Sequence, residues 1–150
     1  MPANSRFAIA VHILTLMAHA GDEPLKSDEV ASSVNTNPVV IRRILCALSK
    51  AQLVVSQTGA AGGSRLARKP NQITLLEVYR AVDAGEIFAM HPQPPNAKCP
   101  VGMNIESALD NILEEVEQGV ERVLGKITIE KVLKSIEPRD AKRQLKAVRS

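Results

Sequence analysis

Two short amphipathic segments set end to end, between residues 27 and 48, constrain this chain more than any other feature. The first fits a helix over Ser27–Val34, with Ser27 as cap and Asp28 and Glu29 in the first turn, where the helix dipole favours acids. Val30, Ala31 and Val34 face inward. Asn35-Thr36-Asn37 then breaks the periodicity. A second helix starts at once: Asn37 is a good N-cap, and Pro38 sits at N1, where its missing N–H costs nothing. Val40, Ile41, Ile44, Leu45 and Leu48 form its apolar stripe, which leaves Arg42, Arg43 and Ser49 pointing elsewhere. Two short helices around a tight break, the second carrying outward arginines, make the helix-turn-helix pattern.

The flanks extend this unit. A helix over about Ser5–Ala20, stopped by Gly21, has apolar residues on most sides and predicts a buried core helix. Leu53–Thr58 is β-prone, Gly59-Ala60-Ala61-Gly62-Gly63 is a turn-rich tip, and Ser64–Arg68 is a return strand ended by Pro70. That hairpin is a candidate wing. Ile73–Val82 reads as a fourth helix, with Thr74 and Glu77 spaced as a capping box. Residues 86–103 hold four of the nine prolines and predict an irregular loop. A long helix follows over about Asn104–Gly125. Its positions Ile105, Leu109, Ile112, Val116, Val120 and Val123 recur at three- and four-residue steps, as a helix-pairing stripe does. A short helix over Ile129–Ile136 precedes a basic tail. The expected organisation is a DNA-binding unit at 1–83, a sensor loop at 84–103, dimerisation helices at 104–136 and a disordered tail at 137–150. The expected fold class is mainly α, with a two-stranded wing and a long C-terminal dimerisation helix.

Composition narrows the function. Aromatics are only 2% of the chain, so a surface that stacks single-stranded bases on rings is disfavoured. Residues 1–83 carry nine Lys/Arg against six Asp/Glu, residues 84–135 five against eight, and residues 136–150 five against two. The basic front half suits a polyanion, although an excess of this size is also what a solvated surface carries. Cys46 and Cys99 are too far apart in sequence for a CxxC metal site, and two free thiols suit a reducing cytoplasm. Phe7–Ala20 is shorter than the roughly 20 apolar residues of a membrane span, so no membrane partner is expected. No Ser/His/Asp, paired-carboxylate or metal-ligand spacing suggests catalysis, and a non-enzymatic protein is expected.

Arg42 and Arg43 lie where a recognition helix meets the major groove, and arginine there takes both acceptors of a guanine. Arg65 and Arg68 flank the wing. A protein–protein module on the same scaffold is the alternative, and it would not need these four arginines. The loop Gly59–Gly63 lacks the Lys-Ser/Thr ending of a nucleotide-phosphate loop.

Three segments then carry a specific resemblance: Asn35–Leu45, Gly59–Ala67 and Ile73–Tyr79, supported by Ser5–Ala10 and Lys98–Gly102. In their order and content they resemble the Rrf2 family of bacterial transcriptional regulators, over about residues 4–135. The resemblance implies a homodimer that crosses its long helices over a palindromic operator in double-stranded DNA, acting as a repressor. It further implies that Thr36, Asn37, Pro38 and Val39, with Arg42 and Arg43, enter the major groove. Gly63, Ser64 and Arg65 place the wing near the minor groove. Ser64 stands where the family commonly carries an aromatic.

Cluster-binding members of that family carry three cysteines in the loop before the long helix, because iron takes thiolate ligands. Here that loop has Cys99 alone, so no iron–sulfur cluster or other cofactor is expected. His91 and Cys99 make at most two metal ligands, and no metal site is assigned. Cys99 is left as a candidate redox sensor, with Lys98 beside it to favour the thiolate, against the plainer reading of a passive cysteine. The effector is otherwise an unknown oxidant or small molecule. Cys46 neighbours the apolar stripe and is expected to be a small core residue.

Overall fold

The helix Ser5–Ala20 (α1) is apolar on so many sides that it can only be satisfied at the centre of the molecule. In the computed structural model, which describes residues 5–82 and 85–149, and side chains to 139, that is where it lies. Ala10, Ile13, Leu14 and Met17 are fully or almost fully buried. Thr15 is buried beside them, and its hydroxyl donates to the Val11 carbonyl at 2.7 Å, so no polar group is stranded.

Around α1 pack Ser27–Val34 (α2), Pro38–Lys50 (α3) and Leu75–Ala81 (α4). Val30, Ile41, Ile44, Leu48 and Val78 close the core. The α2 start differs from expectation by one residue. Lys26 is the cap position because its backbone N–H donates to the Glu29 carboxylate at 3.0 Å, which draws Ser27 into the first turn. Asn35 ends α2 in the left-handed region (φ 59°, ψ 54°), a conformation asparagine tolerates better than most residues.

The hairpin pairs Val54–Gln57 (β1) with Gly63–Leu66 (β2), antiparallel, with Val54 opposite Leu66 and Gln57 opposite Gly63. Both strands are shorter than the sequence suggested. Leu25, from the loop before α2, bridges to Ser64, donating at 2.9 Å and accepting at 2.8 Å. The wing is therefore tied to the helix-turn-helix by a third, one-residue strand.

Thr74 caps α4 by accepting from the Glu77 N–H at 3.2 Å, but the expected capping box is only half formed. The Glu77 carboxylate bonds Arg68 instead. The irregular segment after α4 ends sooner than expected, at residue 99, and the long helix (α5) runs Pro100–Leu124. Pro100 at N1 with Cys99 as cap sets this earlier start. The final helix (α6) spans Ile129–Arg149, so the helical backbone continues through Pro138 rather than stopping at Ile136 before a disordered tail. Its start is pinned to the core. Ile129 is fully buried, its N–H bonds the Ile73 carbonyl at 3.0 Å, and Leu75 N–H bonds Ile127 at 2.8 Å. From there α6 packs back onto α1.

Unlike the other long helix of the core, α5 contains no buried residue. Ile112, Val116 and Val123 are largely exposed, while Ile105, Leu109 and Val120 are half-buried. No helix among the described residues is long and apolar enough to cross a membrane.

Candidate nucleic-acid interface

The orientation of α3 follows from its sequence. Ile41, Ile44, Leu45 and Leu48 are driven into the core, which turns the opposite face outward. That face carries Val39, Arg42, Arg43, Cys46, Ser49 and Lys50, all exposed. The helix start is fixed by the Asn37 side chain, which accepts the Val39 N–H at 2.8 Å. Thr36 is half-buried, and its N–H is held by the Ala31 carbonyl at 3.1 Å. Thr36, Asn37 and Pro38 thus shape the turn, while Val39, Arg42 and Arg43 project from it. No ion pair among the described residues engages Arg42, Arg43 or Arg65. Their charges are left for a solvent-side partner.

The wing stands beside this face. A cleft between α3 and the hairpin is lined by Arg42, Cys46, Lys50, Gln57 and Ser64, among others. Arg65 is exposed on β2. The other two expected wing residues make contacts within the protein. Ser64 is only 7% exposed, and its hydroxyl pairs with Ser56 Oγ at 2.9 Å. The small, hydrogen-bonded pair fills the space at the wing base and anchors the wing. Gly63 has φ +144°, and a methyl there would sit 2.8 Å from the Leu25 carbonyl oxygen. The glycine is required by close approach to the protein's own backbone.

Arg68 also departs from expectation. It bonds the Glu77 carboxylate and the Gln72 carbonyl, the latter at 3.1 Å, which ties the foot of the wing to α4. It is a brace, not a free cation. Cys46 is exposed in the cleft, not a core residue. The signal was in the spacing: Cys46 lies three and four residues after Arg43 and Arg42, on the outward side of the helix.

The candidate sensor lies on another element. Cys99 is exposed at the N-terminus of α5. The backbone N–H groups of Gly102 and then Val101, at the open start of α5, favour the charged form and hold its pKa below the ordinary thiol value, partly opposed by desolvation. The cause is the start of the helix rather than Lys98. Gly102 makes this turn possible, since a Cβ there would collide with the Asn96 carbonyl oxygen. Among the described residues, no three His, Cys, Asp or Glu side chains are grouped as a metal ion would need.

The family model "Rrf2, Iron-dependent Transcriptional regulator" matches residues 3–135. YwnA of Bacillus subtilis (strain 168), a candidate HTH-type transcriptional regulator, is 47% identical over 131 residues, covering 87% of this chain and 96% of YwnA. A crystal structure described as that of a candidate DNA-binding protein is 40% identical and superposes with a TM-score of 0.69, over 85% of this chain and 98% of its own. IscR of T. potens has the same fold at 24% identity, with a TM-score of 0.68 over 90% of this chain and 88% of its own.

Proposed function

Because the chain belongs to the Rrf2 family, whose members are transcriptional regulators and not enzymes, we propose that it acts in the cytoplasm as a homodimeric repressor that binds a palindromic operator. The observation that carries this reading is the outward set of Arg42, Arg43 and Val39 on a capped helix, its arginines in no ion pair among the described residues, beside a braced wing that exposes Arg65. Arg42 and Arg43 have the reach and donors to take base acceptors or phosphates, and Arg65 supplies a cation to the backbone beside the helix. A scaffold used only for protein contacts would gain nothing from holding these three arginines outside every ion pair among the described residues.

The dimer reading rests on α5. Its apolar stripe is half-buried at Ile105, Leu109 and Val120 and exposed at Ile112, Val116 and Val123 on a single chain, and a continuous apolar face of this kind is covered in a stable protein. Two copies of α5 packed along Ile105, Leu109, Ile112, Val116, Val120 and Val123 would cover it. Two recognition helices would then be related by a two-fold axis, which is the symmetry that a palindrome matches.

For the effector, this chain's donors do not fit the cluster that iron-binding members hold. The segment before α5 offers one thiolate, and Cys46 lies on α3. No step is therefore assigned to iron. Cys99 instead fits a redox-sensing role: it is exposed, and its thiolate is favoured by the start of α5.

Selection of bound duplexes from a random DNA library, followed by binding titrations, tests the proposal. Arg42→Ala or Arg43→Ala is expected to weaken the selected site by roughly 1–3 kcal/mol where the arginine reads a base. Selection that yields no enriched sequence, or unchanged affinity in both variants, would overturn it.

A further inference from the structure

We propose that Val39 reads the 5-methyl group of a thymine in each operator half-site; the inference rests on the DNA-binding reading above. Val39 is 47% exposed, whereas the other aliphatic residues of α3 are buried or packed against the core. A lone exposed valine on an arbitrary surface would need no explanation. This one stands in the first turn of α3, on the same face as Arg42, Arg43 and Cys46 at three-, four- and seven-residue spacing. A recognition helix sends its N-terminal residues deepest into the major groove.

The side chain is also held ready. Its backbone N–H is locked to Asn37 Oδ1 at 2.8 Å, and β-branching leaves few χ1 choices to lose on binding. The chemistry then selects the base. Thymine alone among the four bases presents an apolar group in the major groove. Against the donors and acceptors of the other bases, a valine would displace water and return no hydrogen bond. Arg42 and Arg43, one turn further along the helix, are placed for acceptors on neighbouring bases or for the flanking phosphates. The site preferred by this face therefore holds a thymine at the position facing the start of α3.

The test uses the full-length protein and its selected operator. Each thymine is replaced in turn by deoxyuridine, which removes only the methyl group. The wild-type protein is expected to bind about fourfold more weakly when one particular thymine per half-site is changed, the factor that burial of one methyl carries. Val39→Ala is expected to bind thymine and uracil forms equally at that position, with an unchanged melting temperature because the side chain is exposed. Uracil without effect at every position, or full discrimination retained by Val39→Ala, would overturn the proposal. If Arg42→Ala still weakens binding in that case, only the valine assignment fails. If no duplex is bound specifically, the DNA-binding reading fails with it.

Discussion

Gly63→Ala should loosen the wing by a mechanism that can be followed in magnitude. The alanine methyl would stand 2.8 Å from the Leu25 carbonyl oxygen, 3.0 Å from the Leu25 carbonyl carbon and 3.0 Å from Pro24 Cβ, at a φ of +144° that side chains rarely adopt. Holding the residue in that region costs of order 1–3 kcal/mol. Relief of the contact requires residues 24–25 to retreat, which stretches the paired bonds of 2.9 and 2.8 Å between Leu25 and Ser64. Each lost backbone bond costs roughly 1 kcal/mol net. A total of about 3–5 kcal/mol corresponds to a melting temperature lower by roughly 6–20 °C at this chain length. Gly59→Ala is the control: it also has positive φ (+102°), but nothing lies within 4 Å of the added methyl. Thermal unfolding followed by circular dichroism, with hydrogen exchange at Leu25 and Ser64, reads both variants. Gly63→Ala should melt below Gly59→Ala and lose protection at both amides. Equal melting temperatures, or retained protection, would refute the close-approach argument.

Four further outcomes rest on other contacts. Arg68→Ala should lower stability by no more than about 1 kcal/mol, since the Arg68–Glu77 pair is more than a third exposed and screened by solvent. The salt slope of DNA binding should be unchanged in Arg68→Ala and shallower in Arg65→Ala, as titrations at several salt concentrations would show. Asn37→Ala removes the bond to the Val39 N–H and should cost about 1 kcal/mol in chemical denaturation. The alkylation rate of Cys99 by iodoacetamide, measured against pH by mass spectrometry, should rise at lower pH than that of a free thiol. The thiolate is the favoured form there, so deprotonation begins earlier; a midpoint at or above the free-thiol value would contradict the helix-terminus cause.

The elements set by periodicity and capping were readable in advance. The Asn37-Pro38 start of α3 and its inward stripe came from local chemistry alone, as did the Thr74 cap of α4. What escaped was tertiary choice. Glu77 had two partners within reach, its own helix start and Arg68, and sequence spacing describes only the first. Gly63 and Ser64 were expected to place the wing near the minor groove, and nothing local reveals that Leu25 returns to pair with Ser64 and lies against Gly63. Cys46 was misplaced for a different reason: adjacency to Leu45 suggested burial, although the helical angle already turned it outward. The last helix was expected to end at Ile136, yet the backbone of α6 continues through Pro138. The N-terminus of α5 was drawn too late because Cys99-Pro100 was counted with the prolines of the loop, when that pair is itself a helix-start signal.

The most direct test of the central claim is the affinity of the purified protein for its selected operator as a function of salt, for the wild type and for Arg42→Ala/Arg43→Ala. Arginine contacts to phosphates release counterions, so log affinity should fall linearly with log salt, by more than about tenfold between 50 and 200 mM. The double variant should bind more weakly, with a shallower slope if either arginine lies on a phosphate and with relaxed sequence preference if either lies on a base. An operator affinity that is flat with salt, or identical in the double variant, would contradict the account.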